Sequence, residues 1–82
     1  MPTPLYLFHC TNGSDLMADL QGKRLLTWAL MRLHAERVAL DVMLGSARRN
    51  WSGWTVEVYN ASGRHVVSKP FSDLIADRLR LG

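Results

Sequence analysis

His9 and Cys10 are the first residues of the chain able to hold a metal or act on a substrate, and they are neighbours. Adjacent residues on a strand point to opposite faces, so the pair cannot ligate one ion from that segment. No His-x-x-His or Cys-x-x-Cys spacing, and no second cysteine, completes a zinc-type set. The expectation is a core thiol and an ordinary histidine. Asp15 and Asp19 lie in "NGSDLMAD", which lacks the alternating oxygen ligands and terminal bidentate Glu of a calcium loop. They read as residues that flank turns. Gly22-Lys23 in "QGKR" lacks the Gly-x-x-x-x-Gly-Lys-Ser/Thr spacing of a phosphate loop. Cys10, His34, His65 and the serines could be grouped into several nucleophile–base sets, and nothing local selects one. No catalytic residue, metal or cofactor is expected.

The cluster "ARRNWSGW" carries a different chemistry. Arg48 and Arg49 could meet phosphates while Trp51 stacks on a base, as in proteins that hold single strands. Two arginines fall well short of the roughly 6–10 phosphate contacts of a typical binder. The same residues serve equally as a solvated connector whose tryptophans close one end of the core. Weak nucleic-acid binding through Arg48, Arg49 and Trp51 therefore stands as the alternative function, with a small enzyme third.

The bulk properties bound what could position these groups. Eighty-two residues make a single domain, 1–82, with 48% apolar residues and three Trp. A chain this short hides only about 60–65% of the surface that its unfolded form exposes. Net charge is +3, from ten Lys/Arg against seven Asp/Glu. The charges are scattered, so the attraction to acidic partners is weak. A single cysteine excludes an intrachain disulfide and favours a reducing, cytoplasmic setting. "MPTPLYLFHCTNG" has no basic stretch before its short apolar run, and nothing approaches the ~18 apolar residues of a membrane span. The Asn-x-Ser sequons at Asn12, Asn50 and Asn60 then read as accidents of turn composition.

Along the chain, "LYLFHC" is a strand that stops at Asn12-Gly13, a pair suited to a tight turn. "SDLMADL" is expected to return as a second strand, ending near Gly22. A helix follows from about Thr27 to Leu44, with Thr27 as candidate cap and Gly45 as the residue that closes it. "GWTVEV" alternates, placing Trp54, Val56 and Val58 on one face and Thr55, Glu57 and Tyr59 on the other. "NASG" reads as a turn closed by a left-handed Gly63. "RHVVSKPF" is a fourth strand, at an edge or ending near Pro70, because proline cannot donate to a ladder. "SDLIADRLRLG" is expected to form a short closing helix capped by Ser72, with an extended tail as the alternative. The fold class is α+β: ββαββ(α), a four-stranded antiparallel sheet with one long helix on one face.

These motifs together resemble a family of small bacterial proteins, largely alphaproteobacterial, classed as a domain of unknown function. The resemblance rests on "MP", "LYLF", "NG", Asp19–Gly22 in "DLQG", the helix with Ala29, Ala35 and Ala39, "WTVEV", "NASG" and "KPF". Leu5 and Leu7 depart from it, since aromatics are commoner there, and the helix is richer in Leu and Met. The resemblance implies the α+β fold and a bacterial, cytoplasmic setting, and brings no catalytic residue with it.

The helix raises the functional question. At ~100° per residue, Trp28, Met31, Ala35, Val38, Ala39 and Val42 share the face expected to meet the sheet. Leu30, Leu33, Arg37, Leu40 and Leu44 gather on the roughly opposite side at three-four-three-four spacing, a two-heptad seam interrupted by one cation. The C-terminal Leu74, Ile75 and Leu79 could cover this second stripe, as could a second copy of the chain or another protein. Four leucines at roughly 1.5–3 kcal/mol each give a symmetric pair about 12–24 kcal/mol gross. Association costs an estimated 4–15 kcal/mol or more, so a homodimer is feasible. The expected activity is association with protein, as a non-catalytic regulatory or adaptor homodimer, with no membrane role.

Overall fold

The computed structural model describes residues 3–46 and 49–74. Strand β1 (Leu5–Thr11) is followed by the two-residue strands β2 (Leu16–Met17) and β3 (Lys23–Arg24). Helix α1 (Trp28–Gly45) comes next, then β4 (Thr55–Asn60) and β5 (His65–Pro70). The sheet is antiparallel throughout, in the order β2-β1-β4-β5, with β3 pairing the same side of β1 as β2 does. β1 and β4 form its centre, in register from Tyr6 opposite Asn60 to Thr11 opposite Thr55. The α+β class is as expected, with five strands where the alternation suggested four.

The extra strand arises because the expected second strand is interrupted. β2 pairs with the end of β1, at Cys10–Met17 and Thr11–Leu16, and β3 pairs with its start, at Leu5–Arg24 and Tyr6–Lys23. Between them Asp19 takes over the ladder. Its Oδ2 accepts the Phe8 N–H at 3.0 Å, and its Oδ1 accepts the N–H groups of Gln21 and Gly22, both at 3.0 Å. The Asp19 N–H in turn donates to His9 Nδ1 at 2.9 Å. Gly22 lies at φ +77°, and a Cβ there would stand 2.9 Å from the Tyr6 carbonyl oxygen. The Asp-x-x-Gly step is thus a side-chain plug against β1, with glycine required where the backbones meet.

The turns follow their sequences with one difference. The Asn12-Gly13 turn is wider than a two-residue hairpin, since residues 12–15 lie outside the Thr11–Leu16 pair. Asn12 Oδ1 accepts from Ser14 N at 2.9 Å and Asp15 N at 2.6 Å, which stabilises the longer loop. At the second hairpin Gly63 adopts φ +86° and donates to the Asn60 carbonyl, as its sequence requires.

The core lies between the sheet and α1. Phe8, Cys10, Trp54, Val56 and Val58 project from the sheet, and Met31, Ala35 and Ala39 from the helix, joined by Leu25, Phe71 and Leu74. The alanines remove side-chain bulk where the helix lies over β1 and β4. Thr27 caps the helix, its Oγ1 accepting the Leu30 N–H at 3.1 Å. Two expectations about the helix are corrected. Gly45 is the last helical residue and has no positive φ; Ser46 forms the cap, donating to the Met43 carbonyl while its own carbonyl accepts the Trp51 indole N–H. Trp28 is not in the core but 66% exposed. The helix lies over β1 and β4, so its first turns and β5 leave a cleft of about 210 Å³ floored by Met31, Ala35, Val58 and Val67. Trp28 stands on the rim of that cleft.

β5 is an edge strand ending at Pro70, as its proline demands. A helical turn begins at Phe71, one residue before the expected cap at Ser72, and Leu74 enters the main core. Ile75 and Leu79 lie outside the described residues.

Candidate association face

With Met31, Ala35 and Ala39 turned to the sheet, helical geometry sends the leucine stripe outward. Leu30 is 44% exposed, Leu33 62% and Leu44 78%, while Leu40 is half-buried. Arg37 lies exposed among them, its Nε 4.0 Å from Asp41 Oδ2 one turn on. Shallow depressions run beside the stripe. One is formed by Lys23, Leu25, Leu30, Leu33, His34 and Arg37, the other by Leu33, Glu36, Arg37, Leu40, Asp41 and Leu44. The helix therefore carries a closed face and an open apolar one. Leu16, Leu20 and Leu26 are also exposed.

The second face of the sheet carries a hydrogen-bonded polar cluster beside Leu5 and Leu7. Glu57 accepts from Thr55 Oγ1 at 2.6 Å and Ser68 Oγ at 2.5 Å, and meets His65 Nε2 at 2.7 Å. Burial pushes the Glu57 carboxyl up, but the hydrogen bonds from Ser68, Thr55 and His65 outweigh it and hold the group below the usual range. A carboxyl so held is ionised at neutral pH and is a poor proton donor. The Tyr59 ring lies between two histidines, 5.3 Å from His9 and 5.1 Å from His65. Sequence reading missed this cluster, although the in-out alternation of β4 had already put Thr55, Glu57 and Tyr59 together.

The other candidate groups fall into structural roles. His9 and Cys10 occupy opposite faces. Burial, with the nearby Asp19 charge adding to it, pushes the Cys10 thiol up to about 11. Burial likewise acts on Asp19, but the N–H groups of Gly22, Phe8 and Gln21 and the neighbouring His9 hold its carboxyl below the ordinary value. His34 packs edge-on against Phe8 at 4.6 Å; burial, then the Lys23 charge, keeps its imidazole below its usual range. Among the described residues, no group of three or more His, Cys, Asp or Glu is arranged to hold a metal.

In the basic-aromatic loop, Arg49 lies 5.6 Å from the Trp51 ring and 5.3 Å from the Trp54 ring, and its Nη2 reaches Asp15 Oδ2 at 3.1 Å. Trp51 packs edge-on against Trp54 at 4.9 Å and inclines over Phe71. Arg48 lies outside the described residues. Arg49 and Trp51 are thus brought together, but with each other and with the core end.

Among the described residues, fold and faces define a small α+β module: helix α1 on an antiparallel sheet, an outer sheet face holding the Glu57 cluster, and an outer helix face of exposed leucines. The chain belongs to the family described as domain of unknown function DUF6894, whose pattern matches residues 5–72, from the first residue of β1 to just past β5. No curated protein and no solved structure matches the chain. No helix among the described residues is long and apolar enough to cross a membrane.

Proposed function

We propose that this protein acts by association with protein, as a non-catalytic homodimeric module of regulatory or adaptor type working in the cytoplasm. The observation that carries the reading is the exposure of Leu30, Leu33 and Leu44 on one helix face while Met31, Ala35 and Ala39 close the other. An apolar stripe of this kind, rimmed by Arg37, Glu36 and Asp41, is the form of surface that partners cover. Leu74 gives no cover from within, because its side chain lies in the main core. Leu33 and Leu44 have the most surface left to bury, so they contribute most to the pairing.

The nucleic-acid reading has less support. Arg49 and Trp51 are the groups it needs, and both are engaged by Trp54 and, for Arg49, by Asp15.

Light scattering at micromolar concentration tests the reading, with the unmodified protein expected at twice the chain mass. Leu33→Glu would place a carboxylate in the apolar contact of each copy and weaken the dimer at least tenfold, leaving far-UV circular dichroism unchanged. A monomeric unmodified protein would overturn the proposal.

A further inference from the structure

The span from Leu33 to Leu44 has its midpoint between Val38 and Ala39, so Arg37, the one charged member of the stripe, lies off its centre. Two copies can bring such stripes together in parallel or antiparallel, and Arg37 separates the cases. In a parallel, in-register pair, each position meets its own copy, so two Arg37 guanidiniums share one layer of the contact. Like charges in one desolvated layer repel. In an antiparallel pair with its two-fold axis between Val38 and Ala39, Leu33 meets Leu44 of the second copy, and Arg37 meets Leu40. Asp41 is next to Leu40 and exposed, so each Arg37 then faces a carboxylate across the axis. The same register joins Leu33 to Leu44, the two most exposed leucines of the stripe. The Arg37 stem can lie over Leu40 while its head stays at the wet rim beside Asp41.

From this charge complementarity we infer that the surface is built for a second copy of this chain bound antiparallel, α1 against α1, with Arg37 selecting the orientation. The inference rests on the homodimer proposed above and adds its geometry. In this arrangement two Leu44 positions lie about 16 Å apart along the axis, at 1.5 Å per residue, while Leu33 and Leu44 of opposite copies are neighbours. Disulfides do not form between Cα atoms more than about 7 Å apart. Leu33→Cys and Leu44→Cys, made singly, purified and mixed, should therefore give a disulfide-linked heterodimer on mild oxidation. Neither variant alone should link to itself. Cys10 stays out of the exchange because it is buried.

Scattering on the same samples separates the two claims. Monomers throughout would remove the homodimer and the inference together. A dimer in which Leu44→Cys links to itself would keep the homodimer and overturn the antiparallel arrangement. A dimer that links in no combination would place its contact on another face, again overturning the inference.

Discussion

Removing the Asp19 carboxylate tests whether the plug on β1 holds the sheet edge together. Asp19→Ala strips three backbone N–H groups of their acceptor. The Phe8 N–H is part-buried and faces the gap between β2 and β3, where nothing replaces the carboxylate; leaving it unpaired costs about 1–3 kcal/mol. The Gln21 donor is exposed and recovers its bonding in water, and the part-buried Gly22 donor recovers part of its own, so the two add about 1 kcal/mol together. The expected loss is then about 2–4 kcal/mol, against a total of about 4–12 kcal/mol for a chain of this size. Unfolding followed by tryptophan fluorescence in urea should show the midpoint fall accordingly, and the thermal midpoint should drop on the order of 10–30 °C. Asp19→Asn keeps one acceptor oxygen without the charge and should lie between the two. The pH dependence carries the sign. The carboxyl is held below its unfolded value, so its contribution is full above that value, near ~3.9, and fades as pH falls through the lower folded one. Asp19→Ala should flatten that part of the acid limb. A loss within 0.5 kcal/mol of zero at pH 7, or an acid limb of unchanged shape, would refute the plug.

Two other perturbations probe the same framework. Gly22→Ala forces a side chain into φ +77° with its Cβ 2.9 Å from the Tyr6 carbonyl oxygen, and should lower the urea-derived stability by about 2–4 kcal/mol; Gly13→Ala, with open space around its Cβ, should lose less than half as much. Cys10, with its thiol pushed up to about 11, should react with a disulfide reagent at pH 8 roughly 10²-fold slower in the folded protein than in urea. Equal rates would contradict its burial.

The elements that depend on alternation and turn chemistry were legible in the sequence. Trp54, Val56 and Val58 face inward because strand side chains alternate, and Gly63 closes its turn because it accepts a positive φ. The separation of Met31, Ala35 and Ala39 from Leu30, Leu33 and Leu44 was legible for the same reason: helical angles are fixed by the backbone. What escaped depended on distant partners. Asp19 looks like a turn residue until β1 supplies the Phe8 N–H. Gly45 offers a left-handed cap that the chain does not use, and the Ser46 carbonyl is instead taken by Trp51 five residues on. Trp28 shares the helical angle of the core face, but angle alone does not say where the sheet ends. Glu57 and Ser68 become opposite neighbours only through the irregular step in the β4–β5 pairing at Val58 and Tyr59, which no count back from the turn reveals.

The interrupted edge of β1 has a consequence for how chains of this kind behave at high concentration. A bare row of main-chain donors and acceptors invites a strand from another molecule, the route to fibrils and runaway stacking. Here the two short strands occupy the ends of that row and a carboxylate sits in its middle, so an incoming strand would have to evict an anion held by three N–H groups. The opposite edge ends in Pro70, which offers no donor. Zipping of backbones is thereby discouraged on the β1 side and at the Pro70 end of β5. Contacts made through side chains, which stop when a finite surface is covered, are the ones left open.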